Sequence, residues 1–428
     1  MNSIIAEREL PATRNTVLVV AAATIGNALE FFDFTVYGFF AVLIGQLFFP
    51  NMSSYGQILA SVSTFGVGFV MRPVGGILIG AYADRVSRKA AVSLTIFLMG
   101  LGCAMIACAP TYSQIGLLAP VLLVTARLLQ GFSAGGEVGA STTLLIEKAG
   151  AKNRGFYGSL QFASQGLGVA VGAAVSASLS MLLTQSELRE WGWRIPFLLG
   201  VVIAPVGVII RQLLAPMEAP SRHSQAPFIV VLRQQWTSVV LGVLLTIGAT
   251  VTAYVVTFYI PTYAIRELGL GAPVSLLAAL ISGLAIFVIS PVAGLLSDRI
   301  GRKKLVLWSR LAICVLVYPS FVWITSVPGA ASLLVSVGLL SALLALQGAP
   351  SITMLPEMFP MQIRATGMAI VYSIGVAIFG GFAQTVALWL VHVTGNKLAP
   401  AYYLIACVLV SCLSLPFITE RAGVEIDT

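Results

Sequence analysis

Charged side chains interrupt stretches of this chain that are otherwise apolar enough to cross a membrane. Glu30 and Asp33 lie one helical turn apart in one such stretch, and Arg127 and Glu137 lie ten residues apart in another. Because a charge within hydrocarbon is costly, such residues usually face a polar cavity and mark a path for a substrate or for protons. The pattern therefore indicates transport before any other function.

Glu30 and Asp33 are candidates for proton coupling. Two partly desolvated carboxylates so close together cannot easily both ionise, so the pair should titrate jointly and carry a proton. Glu137 is a third candidate, either as a proton site or as a partner in a gate. The alternative is that Glu30 and Asp33 are held by fixed partners that serve helix packing.

Arg127 is the main candidate for binding an anion, because its planar guanidinium fork suits a carboxylate. Ten residues of helix correspond to roughly 15 Å, so Arg127 cannot pair with Glu137. A structural ion pair with Glu30 or Asp33 is the alternative. Polar side chains on other predicted helix faces complete the candidate substrate ligands: Asn27, Tyr37, Gln130, Gln161, Gln165, Tyr254, Gln347 and Tyr372.

Three further arginines have a simpler interpretation. Arg72 and Arg194 lie near predicted helix ends, where an anchoring role is favoured over the attraction of anions. Arg310, near the predicted cytoplasmic end of a later helix, is expected to extend its long side chain to the membrane surface. Since the second part of the chain carries almost no other membrane charge, we expect coupling to be concentrated in the first part.

The chain lacks the residue clusters of an enzyme or a metal site. It has two histidines, and its five cysteines all lie in apolar runs, where they serve as small core side chains. The run GFSAG (131–135) matches a serine hydrolase pattern, but it lies in a predicted membrane helix without a nearby histidine. Gly131, Gly135 and Gly139 suit close helix packing instead. We expect no catalysis, no metal and no cofactor.

The composition indicates an integral membrane protein surrounded by lipid. Of 428 residues, 58 % are hydrophobic and 9 % are charged, whereas a soluble domain carries about 25 % charged residues. A spanning helix needs about 20 apolar residues. We place about twelve such helices, at 16–44, 57–81, 90–109, 115–146, 156–183, 195–214, 237–265, 273–296, 305–326, 330–355, 366–393 and 400–419.

The distribution of basic residues predicts the orientation. Linkers after the even-numbered helices are rich in Lys and Arg, and linkers after the odd-numbered helices are nearly free of them. By the positive-inside rule, both termini face the cytoplasm. The net charge of +8 reflects this bias, so we expect no nucleic-acid partner.

The chain also repeats itself. GAYADRVSRK (80–89) and GLLSDRIGRKK (294–304) follow the second and eighth predicted helices, and their aspartates lie half the chain length apart. A Glu followed seven residues later by an Arg recurs after the fourth and tenth helices. The sequence therefore predicts an all-α membrane protein with two six-helix halves, 1–214 and 237–428, and a linker over 215–236. Repeats of this kind build many transporters, with the substrate site between the halves.

The duplicated loop resembles the signature of the major facilitator superfamily, over nearly the whole chain. GNALEFFDFTVYG (26–38), MRPVGG (71–76), RLLQGFSAGGEVG (127–139) and WGWRIPF (191–197) are more specifically similar to its metabolite:proton symporters, with citrate and tricarballylate carriers nearest. Ser87 departs from the pattern, which has glycine there, and a glycine would ease a tight turn.

The resemblance implies a monomeric symporter that takes up a small organic anion, such as citrate or tricarballylate, together with protons by alternating access. The alternatives are a symporter for a zwitterion such as betaine or proline, and a proton-driven exporter. It also implies that the repeated loops latch the halves on the cytoplasmic side; the alternative is that their charge serves topology alone. The candidate gating residues are Asp84, Arg85, Arg88, Glu147, Arg154, Asp298, Arg299, Arg302, Glu357 and Arg364.

Overall fold

The structure, a computed structural model, describes residues 12–85, 88–135, 137–202 and 227–426, and the regular structure within them is helical. Long apolar segments become helices because hydrocarbon offers no hydrogen-bond partner to an open backbone. In chain order the helices are α1 Ala12–Phe39, α2 Ala41–Phe48, α3 Ser54–Val70, α4 Arg72–Arg85, α5 Arg88–Ala107, α6 Tyr112–Ile115, α7 Leu118–Ala134, α8 Glu137–Glu147, α9 Arg154–Leu182, α10 Gln185–Glu190, α11 Gly192–Val202, α12 Pro227–Gln234, α13 Trp236–Glu267, α14 Ala272–Ile300, α15 Arg302–Ser326, α16 Ala330–Glu357, α17 Met361–Thr394 and α18 Ala399–Phe417.

The membrane fold is confirmed, while the count of twelve spans stays a prediction. Among the described residues nine helical segments are long and apolar enough to span, and ten if α1 and α2, bent by 62°, form one span. Shorter apolar helices at Phe97–Ala107 and Gly192–Val202 coincide with the predicted third and sixth spans. The predicted linker begins outside the described residues, and its later part contains α12.

Two predicted spans are interrupted. The first was expected to run unbroken over 16–44, but α1 ends at Phe39. The second breaks at Met71, between α3 and α4. Pro73, the second residue of α4, has no backbone N–H and its ring clashes with the preceding helical turn, which explains the second break.

Glycines bring α9 and α14, one from each predicted half, into backbone contact. A Cβ on Gly155 would lie 2.5 Å from the Gly294 carbonyl oxygen, and one on Gly283 would lie 2.5 Å from the Ala170 nitrogen. Small residues at such interfaces allow the close approach that gives membrane helices their van der Waals contact. The halves therefore meet along a long, tightly packed seam.

The packing role of the glycines in the GFSAGGEVG run is confirmed. A Cβ on Gly131 would overlap the backbone of Gly68, and one on Gly135 would overlap the backbone of Arg72. Gly139 packs in the same way on Ala365 and Ala369 of α17. The run thus positions α7 and α8 against α3, α4 and α17.

Candidate functional site

Two buried ion pairs join α1 to neighbouring helices. Arg72 Nη2 lies 2.8 Å from Glu30 Oε1, and Arg127 Nη1 lies 3.1 Å from Asp33 Oδ2. All four side chains are at most 3 % exposed. The sequence suggested one carboxylate pair that titrates jointly, but each carboxylate has its own arginine, supplied by α4 or α7. The alternative of fixed partners therefore describes the geometry better.

Arg72 is the residue that the sequence argument undervalued. Its guanidinium carbon lies 4.3 Å from the Phe69 ring centroid and 4.8 Å from that of Phe34. Its Nε and Nη1 atoms are buried and have no hydrogen-bond partner within the described part of the chain. The interpretation as a helix-end anchor is wrong, because the side chain is buried and forms an ion pair with Glu30. The sequence did contain a signal for this pair, because Arg72 and Glu30 both lie in stretches that are apolar enough to span a membrane.

Arg127 belongs to the interior of the first predicted half. Its guanidinium carbon lies 3.9 Å from the Tyr37 ring centroid, in addition to its ion pair with Asp33. The Cys103 thiol donates to the other Asp33 oxygen at 3.1 Å and accepts from Gln130 Nε2 at 3.3 Å. Arg127, Tyr37 and Gln130 do not line the central cavity described below. Arg127 Nε and Nη2 and Gln130 Oε1 are buried and have no hydrogen-bond partner among the described residues, so the binding of substrate by this group stays a prediction.

A cavity of about 50 Å³ lies between α1 and α9 on one side and α13, α16 and α17 on the other. Gln165, Tyr254 and Tyr372, predicted as substrate ligands, line it, and Gln165 Nε2 lies 3.5 Å from the Tyr372 hydroxyl. Apolar and small polar residues complete the lining, among them Phe31, Phe162, Leu245, Phe258, Gly348 and Ser351. A volume this small suits water rather than an organic acid, so the cavity is too small for such a substrate in this conformation.

The other predicted ligands lie outside this wall. Asn27 Nδ2 donates to the Gln161 carbonyl oxygen at 2.9 Å and to Ser164 Oγ at 2.7 Å. Gln347 accepts from Arg310 Nε at 3.0 Å and donates to Thr252 Oγ1 at 3.2 Å. Asn27 and Gln347 thus join neighbouring helices, whereas both polar atoms of the Gln161 side chain are buried without a partner among the described residues. The role of all three as ligands stays a prediction.

The Arg72–Glu30 pair lies next to the cavity wall. The Phe69 ring, which Arg72 covers, has its centroid 5.6 Å from that of Tyr254. Tyr254 and Tyr372 are both within electrostatic reach of Arg72 and Glu30. Both α13 and α17 have a π-helical turn where they border the cavity, at Tyr254–Tyr259 and Val376–Gly380. Such turns are frequent at functional sites.

Ion pairs close one end of the seam, which we call the Glu357 end. Arg154 Nε and Arg302 Nη2 each lie 3.0 Å from Glu357 Oε1. Arg364 Nη1 lies 3.3 Å from Glu147 Oε1. The Arg154–Glu357 and Arg364–Glu147 pairs each join the first predicted half to the second, as a latch requires.

Asp298 of the second repeated loop also contributes to the Glu357 end. Its carboxylate accepts hydrogen bonds from the backbone N–H groups of Gly155 at 2.8 Å and Phe156 at 3.0 Å, at the start of α9. Arg299 is exposed. Asp84, Arg85 and Arg88 of the first loop have side chains that lie outside the described residues. Glu137 begins α8, and its role as a proton site or gate partner stays a prediction.

The opposite end of the seam, which we call the His392 end, is held by aromatic contact. The rings of Tyr55 in α3 and His392 in α17 are stacked with centroids 3.8 Å apart. A pocket of about 230 Å³, lined also by Arg266 and Lys397, lies beside them. Arg194, in the first turn of α11, donates to the carbonyl oxygens of Glu190 and Ala109. These contacts agree with its predicted anchoring role.

Comparison with known proteins gives consistent results. The family model "Major Facilitator Superfamily" matches residues 23–289, and "Sugar (and other) transporter" matches residues 210–428. The chain is 36 % identical over 405 residues to the citrate-proton symporter of Salmonella typhi, with 93 % of each chain covered. It is 33 % identical over 423 residues to the proline/betaine transporter of Escherichia coli (strain K12), with 94 % of this chain and 83 % of the relative covered.

Solved structures agree on the fold. The proton:xylose symporter XylE, bound to 6-bromo-6-deoxy-D-glucose, superposes with a TM-score of 0.78 over 97 % of this chain and 98 % of that one. At 18 % identity this likeness concerns the arrangement of helices and not the ligand.

Proposed function

We propose that this chain, which belongs to the major facilitator superfamily, takes up a di- or tricarboxylate such as citrate together with protons by alternating access. The coarser statement, a proton-coupled symporter in a bacterial inner membrane, is supported by relatives that match nearly the whole chain. The citrate-proton symporter of Klebsiella pneumoniae, 35 % identical over 413 residues, supports the choice of substrate class.

The buried Arg72–Glu30 ion pair is the observation that carries this proposal. It joins a titratable carboxylate to an arginine beside the cavity, and the Arg72 guanidinium keeps two donors that no described residue uses. Arginine binds carboxylates with two parallel hydrogen bonds. Arg72 therefore offers one anion site, which the Glu30 carboxylate and a substrate carboxylate can occupy in turn.

Protonation of Glu30 provides the coupling. When Glu30 is ionised, it neutralises Arg72 and competes with an anionic substrate. When Glu30 takes up a proton, Arg72 is left as a buried cation without its counter-ion, which is strongly unfavourable. A substrate carboxylate then restores neutrality, so proton and anion bind together and travel down the proton gradient.

Movement of the two halves completes the transport cycle. We assign residues 1–214 and 237–428 as the halves, with 215–236 as their linker and both termini in the cytoplasm. The seam between α9 and α14 serves as the pivot. The ion pairs of the Glu357 end hold the predicted cytoplasmic side closed, and their release opens the cavity inwards.

A zwitterion is the second candidate substrate. Five aromatic rings line the cavity, those of Phe31, Phe162, Tyr254, Phe258 and Tyr372, and aromatic faces bind quaternary ammonium groups. The proline/betaine transporter of Escherichia coli covers most of this chain as well. The arginine beside the cavity favours the carboxylate, because a net-neutral ligand would not replace the charge of Glu30.

The test is uptake of labelled citrate by proteoliposomes under an imposed inward proton gradient. We expect gradient-dependent uptake by the native protein and its loss in Arg72→Gln. Arg194→Gln, which removes an arginine that anchors a helix end, is the matched control and should retain uptake. Uptake of betaine or proline without citrate would support the zwitterion candidate. Citrate movement opposite to the proton gradient would support an exporter.

A further inference from the structure

Arg310 is a fully buried cation in the second predicted half. It lies in α15 with no solvent exposure. Its guanidinium donates to Gln347 Oε1 at 3.0 Å, to the Ser411 carbonyl oxygen at 3.1 Å and to the Leu245 carbonyl oxygen at 2.7 Å. These acceptors come from α16, α18 and α13 and are neutral. The prediction that Arg310 extends to the membrane surface is therefore wrong, because its donors are consumed inside the bundle.

The charge of Arg310 has no counter-ion in the described structure. Every other buried arginine among the described residues has a carboxylate within ion-pair distance, namely Arg72, Arg127, Arg154, Arg302 and Arg364. Beside Arg310 there are instead the thiols of Cys314 and Cys412, and neither is a carboxylate. An uncompensated charge at membrane depth is costly and typically functional.

Arg310 stands one layer of side chains behind the wall of the central cavity. Leu245 and Ser351 bind its Nη2 atom, with Ser351 Oγ at 3.5 Å, and both residues line the cavity. Gln347, whose side-chain oxygen accepts from Arg310 Nε, precedes the lining residue Gly348. Gly248 leaves room for the guanidinium, since a Cβ there would lie 3.2 Å from Arg310 Nε. The positive field of Arg310 therefore enters the cavity from the second half.

We propose that Arg310 is the specificity-determining cation of the second half, which attracts a carboxylate of the substrate through Ser351 and Gln347. This inference rests on the proposed function and deepens it. Arg72 supplies positive charge from the first half, and Arg310 supplies it from the opposite wall. An anion with two or more carboxylates is attracted to both walls at once and draws the halves together, whereas a zwitterion with one carboxylate is not.

The experiment compares the binding of ligands that differ in charge. Citrate and betaine are titrated calorimetrically into the purified native protein and into Arg310→Gln, Arg310→Lys and Ser351→Ala. Arg310→Gln should lose citrate affinity by roughly 10- to 100-fold, the effect of one unit charge at short range in a poorly screened site. Arg310→Lys should retain most of it because it keeps the charge. Cys412→Ser, an uncharged neighbour of Arg310, is the matched control and should bind citrate like the native protein.

The outcomes separate this inference from the proposed function. Native protein that binds betaine and not citrate overturns both. Native protein that binds citrate, with Arg310→Gln binding it within about twofold, overturns the role of Arg310 alone. An equal loss for citrate and for any betaine binding would show that Arg310 only holds the helices together. If Arg310→Gln does not fold, Arg310→Lys provides the test. Complete loss of citrate binding in Arg310→Lys, which keeps the charge, would refute the charge argument.

Discussion

Glu30→Gln is the substitution that isolates the coupling step. Glutamine has the shape of protonated glutamate, so the variant fixes Arg72 in the state that we assign to the proton-loaded carrier. Arg72 Nη2 then loses the ion pair that it makes at 2.8 Å with Glu30. We expect citrate uptake driven by a proton gradient to disappear, while exchange of internal for external citrate persists.

The magnitude follows from the burial of the pair. With both side chains at most 2 % exposed, removal of one partner costs about 3–5 kcal/mol. A bound carboxylate that restores the pair recovers part of this energy, and about 1.4 kcal/mol corresponds to a tenfold change in affinity. At alkaline pH, where native Glu30 is ionised and competes, the variant should therefore bind citrate roughly tenfold or more tightly than the native protein.

The assay is citrate binding and counterflow, measured between about pH 7 and 9, well above the ordinary carboxyl pKa. Native affinity should fall as the pH rises, because ionised Glu30 reclaims Arg72, and the affinity of Glu30→Gln should stay level. Asp33→Asn is the matched control, since Asp33 pairs with a different arginine, Arg127, at 3.1 Å; it should keep the pH dependence. Equal pH dependence in the native protein and Glu30→Gln would refute the reasoning.

Three further predictions concern the latch, the pivot and the cavity wall. Glu357→Gln removes the acceptor that two buried arginines share, at a cost of about 3–5 kcal/mol. We expect the Glu357 end to open, so that a cysteine placed at buried Ser159 is alkylated faster. Unchanged labelling would contradict the latch. Gly283→Ala places a methyl group 2.5 Å from the backbone of α9 and should lower the melting temperature and transport, whereas Gly338→Ala, where the nearest atom lies at 3.4 Å, should be neutral or slightly stabilising. Tyr372→Phe removes a hydroxyl from the cavity wall. Because about one hydrogen bond to the substrate is lost, the KM for citrate should rise several-fold with little change in kcat. An unchanged KM would show that Tyr372 does not bind the substrate.

The sequence located four charges that form ion pairs between the predicted halves, but not which of them pair. Glu147 and Arg154 occupy one copy of the repeat, and Glu357 and Arg364 occupy the other. In the structure the pairs are exchanged between copies, as Arg154–Glu357 and Arg364–Glu147. A repeat fixes where charges recur along the chain. The exchange arises only when two copies face each other across an interface.

The same limit applies to the carboxylates of α1. Their positions one turn apart are a property of the chain, and burial in an apolar segment made them candidates for function. Whether they share a proton or bind separate arginines depends on α4 and α7, which bring Arg72 and Arg127 to them. Arg72 could not be ranked above Arg127 before the structure showed its ion pair with Glu30 and its contact with Phe69, which packs on Tyr254 of the cavity wall.

What the sequence determined by itself is therefore the class of molecule: apolar helices at regular spacing, an internal repeat, glycines for close packing and a few charges too costly to be accidental. These are local properties, set by transfer free energies and helix geometry. Tertiary structure alone decided which charges meet and which remain uncompensated. It pairs Glu30 with Arg72, limits the cavity to about 50 Å³ and surrounds Arg310 with neutral acceptors among the described residues. Electrostatic energy depends on the distances between residues far apart in the chain, and only the packed fold sets those distances.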